Sequence, residues 1–230
     1  MSTAWKTWRH AVKLDPDRPI TKELLREIGQ TGTDAILLGG TQGITFEKSH
    51  RLYTLVREAV PHLPVWQEVS KRTAIVPGVD GYGIPVVLNA GSTEWLIGHH
   101  MQAVCEYGAL IPWHKVVVEG YLVLNGDAAV AKATEAKTGL SAEEAAAYAV
   151  AGERLFGMNT IYIEYSGSYG DVQTVMEIRR STNAHLVYGG GIDSYEKGAE
   201  MGEWADTIVV GNALYERGIE AVYETVRAVK

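Results

Sequence analysis

The sequence predicts an α/β protein built as one (β/α)8 TIM barrel spanning residues 1–230, and three observations carry that prediction. Short β-branched apolar runs alternate with longer amphipathic segments along the whole chain, the pattern of βαβ units and a parallel sheet. Eight such runs can be counted, which favours closure into a barrel over a doubly wound open sheet. The length of 230 residues also lies within the range of a single barrel domain.

The predicted strands are Arg9–Leu14, Ala35–Leu38, Val65–Glu68, Pro85–Leu88, Val116–Val123, Thr160–Glu164, His185–Tyr188 and Thr207–Val210. Continuous apolar triplets such as Ile208-Val209-Val210 fit strands covered on both faces. The predicted helices are Thr21–Ile28, Glu47–Val60, Glu94–Tyr107, Ala142–Phe156, Val172–Arg180, Tyr195–Met201 and Ala213–Val229. The third unit breaks the pattern. Ser70–Ile84 carries Pro77, Gly78, Gly81 and Gly83, so a long irregular segment that could gate a site is expected there in place of a helix.

A formal charge of −7 argues against nucleic-acid binding, because no basic stripe is available for a phosphate backbone. Anionic ligands must then be held by local donors. Cys105 is the single cysteine, which rules out an internal disulfide and fits a cytoplasmic protein; its mid-helix position suggests a core residue. No apolar run approaches the ~20 residues that span a bilayer. Lys6, Arg9 and Lys13 are not followed by the apolar stretch of a signal peptide.

Barrel sites form where the strands end at their C-termini. The residues collected there include Lys13, Asp15, Gly39-Gly40-Thr41, Glu68, Asn89, Glu119 to Tyr121, Glu164 with Ser166-Gly167, Gly189-Gly190-Gly191 and Gly211-Asn212. The last two loops are the strongest signal. Glycines let main-chain N–H groups approach a phosphate closely, and barrel phosphate sites use these loops. Tight turns requiring positive φ are the plainer explanation. In strand six, Tyr162 and Glu164 share one side, so Glu164 is either a general base beside the phosphate loops or half of a structural ion pair with Lys13. Lys13 and Asp15 also share a face and could meet a phosphate and a cation, although Asp15-Pro16-Asp17 alone reads as an ordinary turn. Trp5, Trp8, Trp95 and Trp113 read first as packing residues, and His99-His100 lack metal-ligand spacing.

Lys13-Leu14-Asp15-Pro16, Gly39-Gly40-Thr41, Val76-Pro77-Gly78, Glu119-Gly120-Tyr121, Tyr162-Ile163-Glu164-Tyr165-Ser166-Gly167, Tyr188-Gly189-Gly190-Gly191-Ile192 and Val209-Val210-Gly211-Asn212-Ala213 occur in one order along the chain. Together they resemble the geranylgeranylglyceryl phosphate synthase family, nearest its bacterial PcrB branch of heptaprenylglyceryl phosphate synthases. The resemblance implies a barrel lacking its third helix. It also implies a Mg²⁺-dependent prenyl transfer that joins sn-glycerol 1-phosphate to a polyprenyl diphosphate through an ether bond. On that resemblance Glu164 is the base, and Lys13, Tyr162, Ile163, Glu164, Tyr165, Ser166, Gly167, Gly189, Gly191, Gly211 and Asn212 bind the glycerol phosphate. Asp15 and Thr41 hold Mg²⁺ with the diphosphate, and the Tyr121 ring faces the developing cation. Ala103, on the helix after strand four, implies an open groove and a long donor. A homodimer and transient contact with a membrane surface are further expectations. The rival readings are a sugar-phosphate isomerase or aldolase, for which Lys115 lies at the wrong end of its strand, and a non-catalytic phosphate binder, which would need no base.

Overall fold

Strands with both faces covered can bury their side chains only by meeting one another edge to edge and wearing helices outside. The computed structural model, which describes residues 2–230, shows that solution. Strands β1 (His10–Leu14), β2 (Ala35–Leu38), β3 (Val65–Glu68), β4 (Gly81–Val87), β5 (Val116–Val123), β6 (Thr160–Glu164), β7 (His185–Gly189) and β8 (Thr207–Val210) pair in sequence order, all parallel. β8 returns to β1 through His10 opposite Ile208, closing the barrel.

Alternation then sorts the side chains. Ala11, Leu37, Trp66, Val117, Tyr121, Tyr162, Val187 and Val209 pack together inside the barrel. Val12, Leu14, Ile36 and Leu38 pack outward beneath α1 (Lys22–Ile28) and α2 (Phe46–Ala59). Outside the opposite wall, α3 (Gly98–Tyr107) and the short α4 (Ala129–Thr134) are followed by α5 (Ala142–Arg154), α6 (Val172–Ser181) and α7 (Tyr195–Gly202). Ile161, Ile163, Leu186, Tyr188, Ile208 and Val210 belong to the layer beneath those last three. Thr21, Thr45, Ser141, Asp171 and Ser194 each cap a helix by accepting a main-chain N–H, which sets where it starts. No helix among the described residues is long and apolar enough to cross a membrane.

Indoles close the barrel floor. Trp5 stacks on Trp8 at 5.4 Å, and both meet Trp66 edge-on at 6.0 and 5.7 Å. Trp5 and Trp8 therefore pack as expected, whereas Trp113 is half exposed outside.

Several expectations need correction. The irregular segment is shorter than Ser70–Ile84, because β4 begins at Gly81. A side chain at Gly81 would strike the Trp66 ring, and one at Gly83 would strike the Glu119 carboxyl. These glycines are inward-facing positions of β4, made small by the side chains of the strands on either side, Trp66 of β3 and Glu119 of β5. The remaining segment holds only a turn at Arg72–Ala74, so the third helix is indeed absent. Its main chain is fastened by side chains instead: Gln67 donates to Ala74 O and accepts from Val76 N, and Tyr53 and Tyr82 donate to Gly78 O and Val76 O. The last predicted helix is two, α8 (Asn212–Arg217) and α9 (Ile219–Val229), broken where Gly218 adopts φ +77°. The six-residue α4 escaped sequence reading. Cys105 is exposed and not a core residue.

His10 is fully buried at the start of β1, between the hydroxyls of Thr33 at 2.9 Å and Thr225 at 3.0 Å. Burial, with Lys230 adding and Asp34 opposing, pulls its imidazole down to about 3. The folded chain thus keeps His10 neutral where an unfolded chain would protonate it. Stability from this group is complete above about 6.5 and is lost as pH falls from there toward 3, at roughly 1.4 kcal/mol per pH unit at most. Urea unfolding between pH 7 and 4 checks this: His10→Gln shows a shallower loss of unfolding free energy with falling pH than the parent chain.

Candidate active site

At the C-terminal rim the interior turns polar. Lys13 and Glu68 end on the inner faces of β1 and β3, and Lys13 Nζ donates to Glu68 Oε1 at 2.7 Å. The same ammonium lies 5.6 Å from the centre of the Tyr162 ring. Burial alone would lower the Lys13 pKa. Glu68, Glu164 and Glu119 outweigh it and push Lys13 up to about 12, so the side chain is a permanent cation. The structural partner of Lys13 is therefore Glu68 and not Glu164.

Glu164 ends β6 and is 2% exposed. Each carboxylate oxygen has its own donor: the Tyr121 hydroxyl on Oε2 at 2.5 Å and the Ser166 main-chain N–H on Oε1 at 2.5 Å. Tyr121 stacks on Tyr162 at 4.7 Å, as their opposite positions on β5 and β6 require. Burial first, and then Glu164, holds both phenols well above their ordinary range, so Tyr121 remains a proton-bearing donor. The carboxylate is thereby fixed in orientation while keeping free lone pairs, which is what a general base needs.

Glu119 lies one interior layer below, fully buried, with neither oxygen hydrogen-bonded. Burial, with Glu68 and Glu164 adding and Lys13 opposing, raises it well above the usual carboxylate range. It sits mid-strand, because β5 runs on to Val123. Asn89, also grouped with the rim by sequence, is a lock between strands: its amide donates to Val123 O and Lys137 O and accepts from Val123 N.

The glycine loops divide by what surrounds them. A side chain at Gly189 would lie 2.4 Å from the Tyr162 hydroxyl, and one at Gly190 or Gly191 would strike Tyr165 or the main chain at Ser168 and Tyr169. Gly189 is small because the Tyr162 side chain of β6 faces it, and Gly190 and Gly191 lie against the β6 loop with φ of +153° and +58°. Gly211 is different: its φ is −122°, and the nearest atom a side chain would meet is Lys13 O at 3.6 Å. Crowding does not demand glycine there, so the open space beside Lys13 is available to a ligand. Asn212 follows it, Ser166 and Gly167 cap β6 with Gly167 at φ +89°, and Asn125 binds Ser166 O at 2.7 Å. Ile163 and Tyr165 turn their side chains into the outer layer, so only their main chain can face the site.

Asp15 and Thr41 lie on the loops that follow the adjacent strands β1 and β2. The Asp15 carboxylate accepts the Asp17 N–H at 2.8 Å and lies so near Gly40 that a side chain there would touch it. Thr41 is next in the chain and exposed. Asp17 is already neutralised by Lys48. No group of three or more His, Cys, Asp or Glu able to hold a metal exists among the described residues. Sequence reading undervalued Glu68; its alternation with the inward Trp66 was the available signal. Lys115 immediately precedes β5, at the floor end, and so is not a rim residue. A groove of about 510 Å³ between α5 and α6, lined by Ala147, Val150 and Leu155, contains none of the candidate residues.

The PcrB family model matches residues 3–230. The chain is 43% identical over 226 residues to heptaprenylglyceryl phosphate synthase of Geobacillus thermodenitrificans, covering 98% of this chain and 93% of that protein. It is 44% identical over 234 residues to geranylgeranylglyceryl phosphate synthase of Haloquadratum walsbyi, covering 100% and 97%. Its fold is similar to the crystal structure of (S)-3-O-geranylgeranylglyceryl phosphate synthase from Thermoplasma acidophilum in complex with sn-glycerol-1-phosphate. There the TM-score is 0.88 and identity 24%, over 100% of this chain and 99% of that one.

Removing Lys13 strands a buried Glu68 carboxylate. Lys13→Met is expected to cost about 2–3 kcal/mol, below the full penalty because the lysine is partly exposed, and adding Glu68→Gln is expected to restore most of it. Chemical denaturation of the four proteins of this cycle measures the coupling; purely additive losses would show that the pair is not a unit.

Proposed function

The chain belongs to the PcrB family, and from that premise we propose that it joins sn-glycerol 1-phosphate to a long polyprenyl diphosphate, with heptaprenyl the expected donor. Relatives at 42–45% identity bear the name of that activity. The observation that carries the reading is Glu164, a buried carboxylate held on both oxygens at the C-terminal rim.

In the proposed chemistry Glu164 takes the proton of an acceptor hydroxyl. The freed oxygen pair forms the ether bond to the first prenyl carbon, and the carbon–oxygen bond to diphosphate breaks with its electrons leaving on diphosphate. Lys13 and the main chain at Gly189, Gly191 and Gly211, with Asn212, Ser166 and Gly167, hold the acceptor phosphate. Tyr162 confines the glycerol between Lys13 and Glu164, and the Tyr121 and Tyr162 rings offer electron-rich faces to positive charge developing on the donor carbon. Water must be kept from that carbon, and the closed indole floor allows approach only from the rim.

The residues present fit Mg²⁺. Asp15 and Thr41 would supply two hard oxygens to an ion whose remaining positions are filled by water and substrate phosphate. When bound there it would neutralise the departing diphosphate. Half-buried Ala103 on α3 leaves the donor route free of a bulky side chain.

Incubating the protein with sn-glycerol 1-phosphate, Mg²⁺ and labelled prenyl diphosphates of twenty to thirty-five carbons, followed by lipid extraction, is expected to yield a prenylglyceryl phosphate. No product from any donor rejects the reading. Glu164→Gln is expected to lower turnover by ~10²-fold or more with an unchanged melting temperature. Ala103→Trp is expected to shift preference toward shorter donors; an unchanged product ladder would remove α3 from length selection.

A further inference from the structure

Arg18 takes no part in the chemistry above, yet it joins two of its loops. Its main-chain N–H closes a turn onto Asp15 O at 3.0 Å. Its guanidinium lies over the Tyr215 ring of α8, 3.7 Å from carbon to ring centre, and Nη1 donates to Asn212 Oδ1 at 3.2 Å. The Tyr215 hydroxyl in turn accepts the Asp15 main-chain N–H at 3.3 Å. One side chain thus spans from the loop carrying Asp15 to the loop carrying Asn212.

A guanidinium donates and never accepts. The Asn212 atom facing it must therefore be the carbonyl oxygen, which fixes the amide's flip. The Nδ2 group, with two N–H donors, is then the end free for a ligand, beside the uncrowded position at Gly211. The opposite flip would offer lone pairs to an anion and two donors to a cation. Stacking on Tyr215 aims the Arg18 edge, and a lysine, which has no plane to stack, could not reproduce that restraint.

We propose that Arg18 is a positioning residue that orients the Asn212 carboxamide so that its N–H groups face the phosphate of the acceptor. This rests on the reading of Asn212 as a phosphate ligand. The test is a double-mutant cycle on the full chain: wild type, Arg18→Ala, Asn212→Ala and the double variant, each assayed for KM and kcat with sn-glycerol 1-phosphate varied and the prenyl donor saturating. Arg18→Ala is expected to raise KM about fivefold at nearly constant kcat, and Asn212→Ala about tenfold. The double variant should be no worse than Asn212→Ala alone. Added guanidinium ion should lower the KM of Arg18→Ala but not of the double variant, and Arg18→Lys should stay impaired. Thermal melts confirm that each variant is folded, and Arg18→Gln replaces the alanine variant if that one is not. A wild-type KM in Arg18→Ala beside a raised one in Asn212→Ala overturns the proposal alone, as do losses that multiply in the double variant. A wild-type KM in Asn212→Ala overturns the ligand assignment and this proposal together. Failure of the wild-type chain to make product would instead defeat the synthase reading.

Discussion

The rim is organised by how one ammonium is shared among buried acids. Lys13 projects into a space also entered by Glu68, Glu119 and Glu164, each on a different strand. Three ionised carboxylates around one lysine would leave uncompensated negative charge at the rim. The structure relieves this in two ways. Glu68 takes the lysine directly, and burial of Glu119, which has no hydrogen-bond partner, disfavours its charged form. Glu164 is left to the Tyr121 hydroxyl and the Ser166 main-chain N–H, which hold its two oxygens at the end of the barrel.

The same economy explains the glycines. In the β7 loop they are small because β6 presses against them, so their composition alone does not indicate a ligand. Gly211 stands in open space. The distinction matters because a phosphate loop and a tight turn have the same letters. Gly81 and Gly83 show the converse: residues that read as helix breakers are strand positions emptied to admit Trp66 and Glu119.

Family membership and geometry bear on different parts of the account. Relatives above 40% identity over nearly the whole chain establish the family and name its activity. The fold likeness to the Thermoplasma acidophilum enzyme supports the barrel itself. The roles proposed for Glu164, Lys13, Asn212 and Asp15 come from the family resemblance, and position, hydrogen bonding and burial in this chain support them.

The sequence by itself determined the repeating β–α pattern, the eight strands in order, the missing third helix and the gathering of Lys13, Asp15, Glu164, Gly211 and Asn212 at strand ends. These follow from local periodicity, from the proline and glycines after strand three, and from the rule that barrel strands point the same way. Only the tertiary structure decided that Lys13 belongs to Glu68, that Tyr121 rather than a cation holds Glu164, that Ile163 and Tyr165 face outward, and that Arg18 reaches Asn212 across 194 positions. These pairings join residues far apart in the chain. They are set by barrel closure, which puts β1 beside β8 and stacks inward side chains in layers, and no local pattern encodes which member of a layer touches which.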